Sequence, residues 1–174
     1  MAASRFVEQL NTQIGNEFAA HQQYVAIAVH FDALTMPQMA AFFYRQALEE
    51  RDHAMMMVQY LIDADERVSI PGVASPKTDF VEIEEPIALA LAQEKSVTDQ
   101  INELTGIARD ERDFASDQFM QWFIKEQVEE VATMSDLLTV VRRSRDDIED
   151  IEEWVAREGG DEGPDPTAPR PAGA

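Results

Sequence analysis

The stretch 48–57, LEERDHAMMM, sets Glu50 and His53 three residues apart on a helical repeat. Their neighbours on that stripe are Met39, Phe43, Met57 and Tyr60. Residues i and i+3 of a helix project the same way, so a carboxylate and an imidazole share apolar surroundings. A charged group there is costly unless it is paired or holds a metal. Two chemistries meet that condition, a carboxylate–imidazole hydrogen bond and a metal bound by both. Three further segments carry polar groups in the same situation: Glu17, Glu94, and Gln127 with Glu130 each lie on an apolar stripe near mid-segment. Helices of similar length packed side by side bring all of them to one depth.

The spacing repeats. Thirty-three positions separate Glu17 from Glu50, and again Glu94 from Gln127. A shift of 77 maps Glu17 onto Glu94, Glu49 onto Glu126, Glu50 onto Gln127, His53 onto Glu130 and Phe42 onto Phe119. Two helical hairpins related by an approximate two-fold axis would clasp a site between them. Four carboxylates gathered in a core repel one another, and each costs several kcal/mol, on the order of an unpaired buried ion. The only basic residues on the stripes are His21 and His53, too few to neutralise four acids. Bound cations suffice. Carboxylate oxygen with a single imidazole suits iron or manganese better than zinc, and Glu50, at the centre, is placed to bridge two ions. A salt-bridged structural core is the alternative.

The elements that must position these groups follow from periodicity. Apolar stripes at helical spacing run over about 4–32, 35–65, 84–112 and 114–143, with Gly and Pro nearly confined to the gaps. Helices of about 30 residues are ~45 Å long. Short connections make the first and second, and the third and fourth, antiparallel pairs. Between the pairs lies ERVSIPGVASPKTDFVEI, long enough when extended to travel the whole bundle. The chain is therefore expected to be all-α, a four-helix bundle with one long crossover. DIEDIEEWVARE reads as a short fifth, C-terminal helix. The expected division is a domain over 1–158 and a Gly/Pro-rich, disordered tail over 159–174.

Composition narrows the partners. The chain has 174 residues with 14 Lys and Arg against 34 Asp and Glu, a formal net charge of −20. That balance argues against nucleic acid and anionic membranes, which require basic surface. It accommodates cations. There is no cysteine, so disulfides and thiolate-bound metals are excluded. No run of 18 apolar residues and no signal-like leader stands in the sequence, and a soluble cytoplasmic protein is expected.

With these residues in hand, NEFAAHQQY, ALEERDHAMMM, QEKSVTDQINEL and FMQWFIKEQVEEV resemble the non-haem bacterial ferritins over residues 4–158. The resemblance implies the ferritin-like form of the bundle and a diiron ferroxidase centre. Glu17, Glu50 and His53 match the ligands of the first iron. Glu50, Glu94 and Glu130 match those of the second, with Gln127 close by. Tyr24 matches a tyrosine beside the centre implicated as an electron donor. Glu49, Glu126 and Glu129 match residues that, with Glu130, form a third iron site. Ten positions agreeing in order and spacing make the resemblance specific, where a lone Glu-x-x-His would be weak. Bacterioferritins place a haem-ligating Met directly after the bridging glutamate, and here that residue is Arg51. No haem is expected, and Met55–Met57 read as core packing.

The function so implied is iron storage and detoxification. Fe(II) is oxidised by dioxygen or hydrogen peroxide, and ferric mineral is deposited inside a homo-oligomeric cage of twenty-four subunits. The alternative on the same fold is a diiron or dimanganese oxidase or peroxidase without storage. A DNA-protecting mini-ferritin is disfavoured by the net charge, and a purely structural bundle is the remaining rival. His21 has no counterpart in the family pattern. It reads as a hydrogen-bonded core histidine, with a partner orienting Glu17 or an extra metal ligand as the alternatives.

Overall fold

The computed structural model describes residues 2–144, 147–158 and 165–174. Among them the stripes become α1 (Ser4–Ala33), α2 (Pro37–Asp63), α3 (Glu84–Asp110), α4 (Phe114–Ser144) and α5 (Ile148–Glu158). Each boundary lies within about two residues of the expectation. Pro37 sits in the first turn of α2, where its missing N–H breaks no helical bond. Carboxylates cap the helix starts, one locally and others from a distance. Glu152 of α5 accepts from the Gln38 and Met39 N–H groups at 2.8 and 2.9 Å, tying the fifth helix to the head of α2. Asp113 accepts from the Ser116 N–H at 3.2 Å and from the Ala3 N–H at 3.0 Å, joining the chain's first turn to α4.

The three sharp helix ends use no glycine. Thr35, Asp65 and Arg112 adopt the left-handed conformation, with φ of 61°, 58° and 56°. In each case the next residue's N–H returns to the helix: Met36 to Phe31 O, Glu66 to Leu61 O and Asp113 to Ala108 O. These bonds satisfy carbonyls that a helix terminus leaves open.

The crossover is held along α1 rather than looped away from it. Asn11 Nδ2 donates to Arg67 O at 3.0 Å, and its Oδ1 accepts from the Ser69 N–H. Further on, Gln23 exchanges two 2.9 Å bonds with the Lys77 backbone, and Phe80 meets the His30 ring edge-on. From Asn11 to His30 is about 28 Å of helix. The crossover thus carries the chain from the foot of α2 to the head of α3.

Two apolar clusters fill the interior. One contains Tyr24, Phe31, Phe43, Ile87, Leu137 and, from α5, Ile151. The other contains Phe6, Leu10, Met57, Leu61, Ile101 and Met120. On every long helix the polar stripe residues fall between the segments that feed these clusters. Met56 and Met57 are buried in the second cluster and Met55 packs against it. Of the expected tail, 159–164 lie outside the described residues. Residues 165–174 lie against α2 and α4: the Ala172 N–H donates to Met55 O at 3.0 Å, and Asp165 accepts from Trp122 Nε1 at 3.1 Å.

Gly15 decides how closely the crossover approaches α1. A Cβ there would stand 2.7 Å from Pro71 Cγ, inside contact distance. Gly15→Val should force the crossover outward and lower unfolding stability by about 1–3 kcal/mol, as over-packing does. Chemical denaturation of the metal-free protein measures this, and an unchanged midpoint would refute the close approach.

Candidate metal centre

Between the two apolar clusters the bundle is polar and dry. Glu17 and Glu50 are 1 % exposed, Glu94 0 %, His53 and Gln127 4 %, and Glu130 5 %. Glu17 comes from α1, Glu50 and His53 from α2, Glu94 from α3, and Gln127 and Glu130 from α4. Ligand atoms of Glu17, Glu50 and His53 all lie within 4.8 Å of one another. His53 Nδ1 stands 3.6 Å from Glu50 Oε2, too long for a good hydrogen bond. On the opposite side, Tyr24 donates its hydroxyl to Glu94 Oε1. Gln127 Nε2 approaches Glu94 Oε2 at 3.5 Å while its Oε1 accepts from Thr98 Oγ1 at 2.9 Å.

Among the described residues three carboxylate oxygens in this space receive no donor, Glu17 Oε2, Glu50 Oε1 and Glu130 Oε2, although the Glu17 and Glu50 carboxyls lie close enough to share a proton. Buried acceptors are rarely left so. Burial, then the neighbouring carboxylates, holds Glu17, Glu50 and Glu130 well above the usual carboxylate range. Burial also raises Glu94, to about 6, although the Tyr24 hydroxyl and the Gln127 amide pull it down. Tyr24 itself is raised by burial and by the Glu94 and Glu50 charges. Without cations the cluster must hold protons. With them, orphaned oxygens and one imidazole form an oxygen-rich donor set of the kind that takes iron or manganese.

The other expected residues fall outside this dry space. Glu49 and Glu129 are exposed and Glu126 is half-buried, each rotated off the stripe by its single-residue offset. They line a cleft of about 680 Å³ between α2 and α4 that reaches His53 and Glu130 and is roofed by Asp165, Pro166, Pro169 and Arg170. Gln46 Nε2 donates to Glu49, and Lys125 pairs with Glu129 at 3.4 Å. His21 does not join the converging group. It is half-buried, with Nδ1 2.6 Å from Ala47 O, the plain hydrogen-bonded role. Trp122 presents its edge to His53, ring centroids 5.6 Å apart. Two contributors were not singled out by the stripe pattern: Gln13, which donates to Glu17 Oε1 at 2.8 Å, and Thr98 behind Gln127. Gln13 lies one turn before Glu17, which is the only mark it carries in the sequence.

The raised carboxyls give stability a sign. A folded-state value above the usual 4.5 means the folded chain binds the proton more tightly. That contribution is complete below the unfolded value and is lost as the pH rises through the folded one. The thermal midpoint of the metal-free protein should fall between about pH 4.5 and 7. Glu94→Gln should flatten the fall, whereas general repulsion among surface charges would leave the slope as it was.

Comparison with known proteins agrees with this geometry. Residues 7–144 match the family model described as a ferritin-like domain. The chain is 52 % identical over 170 residues to Ferritin BfrB of Mycolicibacterium smegmatis, covering 98 % of this chain and 94 % of the relative. It is 35 % identical over 147 residues to a bacterial non-heme ferritin of Staphylococcus aureus, covering 84 % and 89 %. Among solved structures, the open pore ferritin of the archaeon Archaeoglobus fulgidus superposes with a TM-score of 0.86 at 28 % identity, covering 91 % of this chain and 98 % of that one. The chain therefore belongs to the ferritins, and within them to the bacterial kind.

Proposed function

We propose that Fe(II) is bound at two adjacent positions in the dry space, the first held by Glu17, Glu50 and His53 and the second by Glu50, Glu94 and Glu130. The observation that carries this reading is the trio of buried carboxylate oxygens on Glu17, Glu50 and Glu130 that receive no donor. As a ferritin, the chain is a ferroxidase and stores iron. Each of two Fe(II) ions gives up one electron. Dioxygen takes the pair with two protons and leaves as hydrogen peroxide, or hydrogen peroxide takes it with two protons and leaves as water. The carboxylates favour the product because Fe(III) is harder and carries more charge than Fe(II). Tyr24 donates its hydroxyl to Glu94 and so orients the second position's carboxylate; where only one Fe(II) is bound, it would supply the oxidant's second electron together with its hydroxyl proton. Gln127, its Oε1 bonded to Thr98, turns its amide N–H towards the second position's carboxylate without adding charge.

The oxidised iron then moves through the cleft. Glu49, Glu126 and Glu129, with Glu130, form a third, wetter iron position on that route. The Lys125–Glu129 pair is more than half exposed and offers a cation little resistance. An acid-lined cleft suits passing cations better than the organic substrate of an oxidase. The mineral is held in a homo-oligomeric cage, which we take to have twenty-four subunits, working in the cytoplasm without haem, nucleic acid or membrane. Arg51, in the place of the haem-ligating Met, pairs with Asp52 at the surface. No described helix is long and apolar enough to cross a membrane. Residues 1–158 supply every proposed ligand, and 159–174 form an accessory tail.

Glu50→Ala or His53→Ala should reduce the initial rate of Fe(II) oxidation at least a hundredfold, while the cage still assembles, since Glu50→Ala removes a mutually repelling charge and the apolar clusters on both sides are untouched by either change. Stopped-flow absorbance and size exclusion measure the two properties, and an unchanged rate would end the assignment. Changing Glu126 and Glu129 together to Gln should behave differently. The first fast oxidation of two irons per chain should persist, and later turnover should slow. Metal-soaked crystals of that variant should keep the pair and lose the third ion. Loss of the pair as well would place these glutamates in the primary centre.

A further inference from the structure

Glu17 is held by an amide whose direction is set from outside the metal cluster. Gln13 is fully buried and donates from Nε2 to Glu17 Oε1 at 2.8 Å. Its own Oε1 accepts from Asn16 Nδ2 at 3.1 Å, and the same Asn16 nitrogen donates to Gln100 Oε1 on α3 at 3.1 Å. Gln100 passes the sequence on, donating from Nε2 to Ser96 Oγ at 3.3 Å. Both hydrogens of the Asn16 amide are thus committed to oxygens, so the Gln13 oxygen faces Asn16 and its N–H faces Glu17. Inverting Gln13 would set oxygen against carboxylate oxygen at one end and N–H against N–H at the other.

The consequence lies at the far oxygen of Glu17. Oε1 is clamped, while Oε2 is buried and receives no donor. We propose that Gln13 is a positioning residue of the iron centre, clamping Glu17 so that Oε2 is the atom offered to Fe(II), with Asn16 setting the direction of the clamp. The proposal rests on the reading of Glu17, Glu50 and His53 as a metal position. A carboxamide suits the task because it is neutral. A Lys or Arg in its place would neutralise Glu17 and compete with the incoming cation. An amide locks the carboxylate's orientation and leaves its full charge for the metal.

Anaerobic Co(II) titration of the assembled full-length protein tests this, read by calorimetry and by the visible bands of bound Co(II). Gln13→Met keeps the length of the side chain and removes the donor. Asn16→Asp, at a half-buried position, replaces a donor with an acceptor and should draw the Gln13 N–H away from Glu17. Both variants should bind the first Co(II) about tenfold more weakly, the low end for loss of a group supporting a ligand. Their bands should shift, and the double variant should be no weaker than Gln13→Met alone.

The sign for Asn16→Asp is decisive. An added negative charge acting only through space would tighten cation binding, whereas a turned amide weakens it. If Gln13→Met fails to assemble, Asn16→Asp settles the matter alone. First-equivalent binding by Asn16→Asp as tight as the parent's, or tighter, overturns the proposal. Unchanged affinity and bands in an assembled Gln13→Met do the same. Glu50→Ala serves as the control. If it leaves the first Co(II) in place, the metal position itself is misassigned and the proposal falls with it. If it abolishes that binding while the Gln13 and Asn16 variants are unaffected, only the positioning role is lost.

Discussion

Removing an ionised carboxylate from water costs several kcal/mol, on the order of a few even after relaxation. Glu17, Glu50, Glu94 and Glu130 have all been removed to one small space. Among the described residues no side chain neutralises them, since His53 is the one basic group at their ligand atoms and it stands off from Glu50. The cluster therefore needs protons or cations. The rest of the chain is arranged to bear that demand. Apolar clusters on both sides of the polar belt anchor each of the four long helices above and below it, so the belt need contribute nothing to folding. Repulsion that would open a smaller domain is here confined between two packed halves.

Long helices follow from the same demand. A belt at mid-height on four helices leaves enough helix above and below for an apolar cluster on each side. The crossover must then span that height to bring α3 into register, and Asn11, Gly15, Gln23 and His30 hold it against α1. The register of the belt thus depends on polar side chains of α1 that never touch the cluster. Sequence distance and spatial proximity part company here, and only a crossover fixed along its length reconciles them.

Much of this was legible from spacing alone. Apolar intervals of three and four residues mark the long helices because packing an amphipathic face is what stabilises them. Glu50 and His53 stood out because acids on apolar stripes contradict the pattern around them. Other features lack such a contrast. The helix ends at Thr35, Asp65 and Arg112 carry no glycine, and the left-handed turns are closed by backbone bonds returning to the preceding helix rather than marked by residue type. Gln13 is an ordinary helix residue until the Asn16–Gln100 bond across α1 and α3 gives its amide a direction. The path of 165–174 is equally silent in a Pro-rich segment, because its partners, Met55 and Trp122, lie far away in sequence.

The two halves of the bundle repeat in spacing but not in chemistry, and the difference has a use. The shift that maps Glu17 onto Glu94 turns His53 into Glu130 and Glu50 into Gln127. On the proposed assignment, the first position has two carboxylates and an imidazole, and the second has three carboxylates. Their supports differ as well, for Glu17 is held by a neutral amide while Glu94 takes a tyrosine hydroxyl and approaches an amide. A donor set of oxygen alone, richer in negative charge, gains more from an ion's rise in charge than one containing a neutral nitrogen. On that assignment the second position is the better seat for iron once oxidised, while the cleft borders both positions, at His53 of the first and Glu130 of the second.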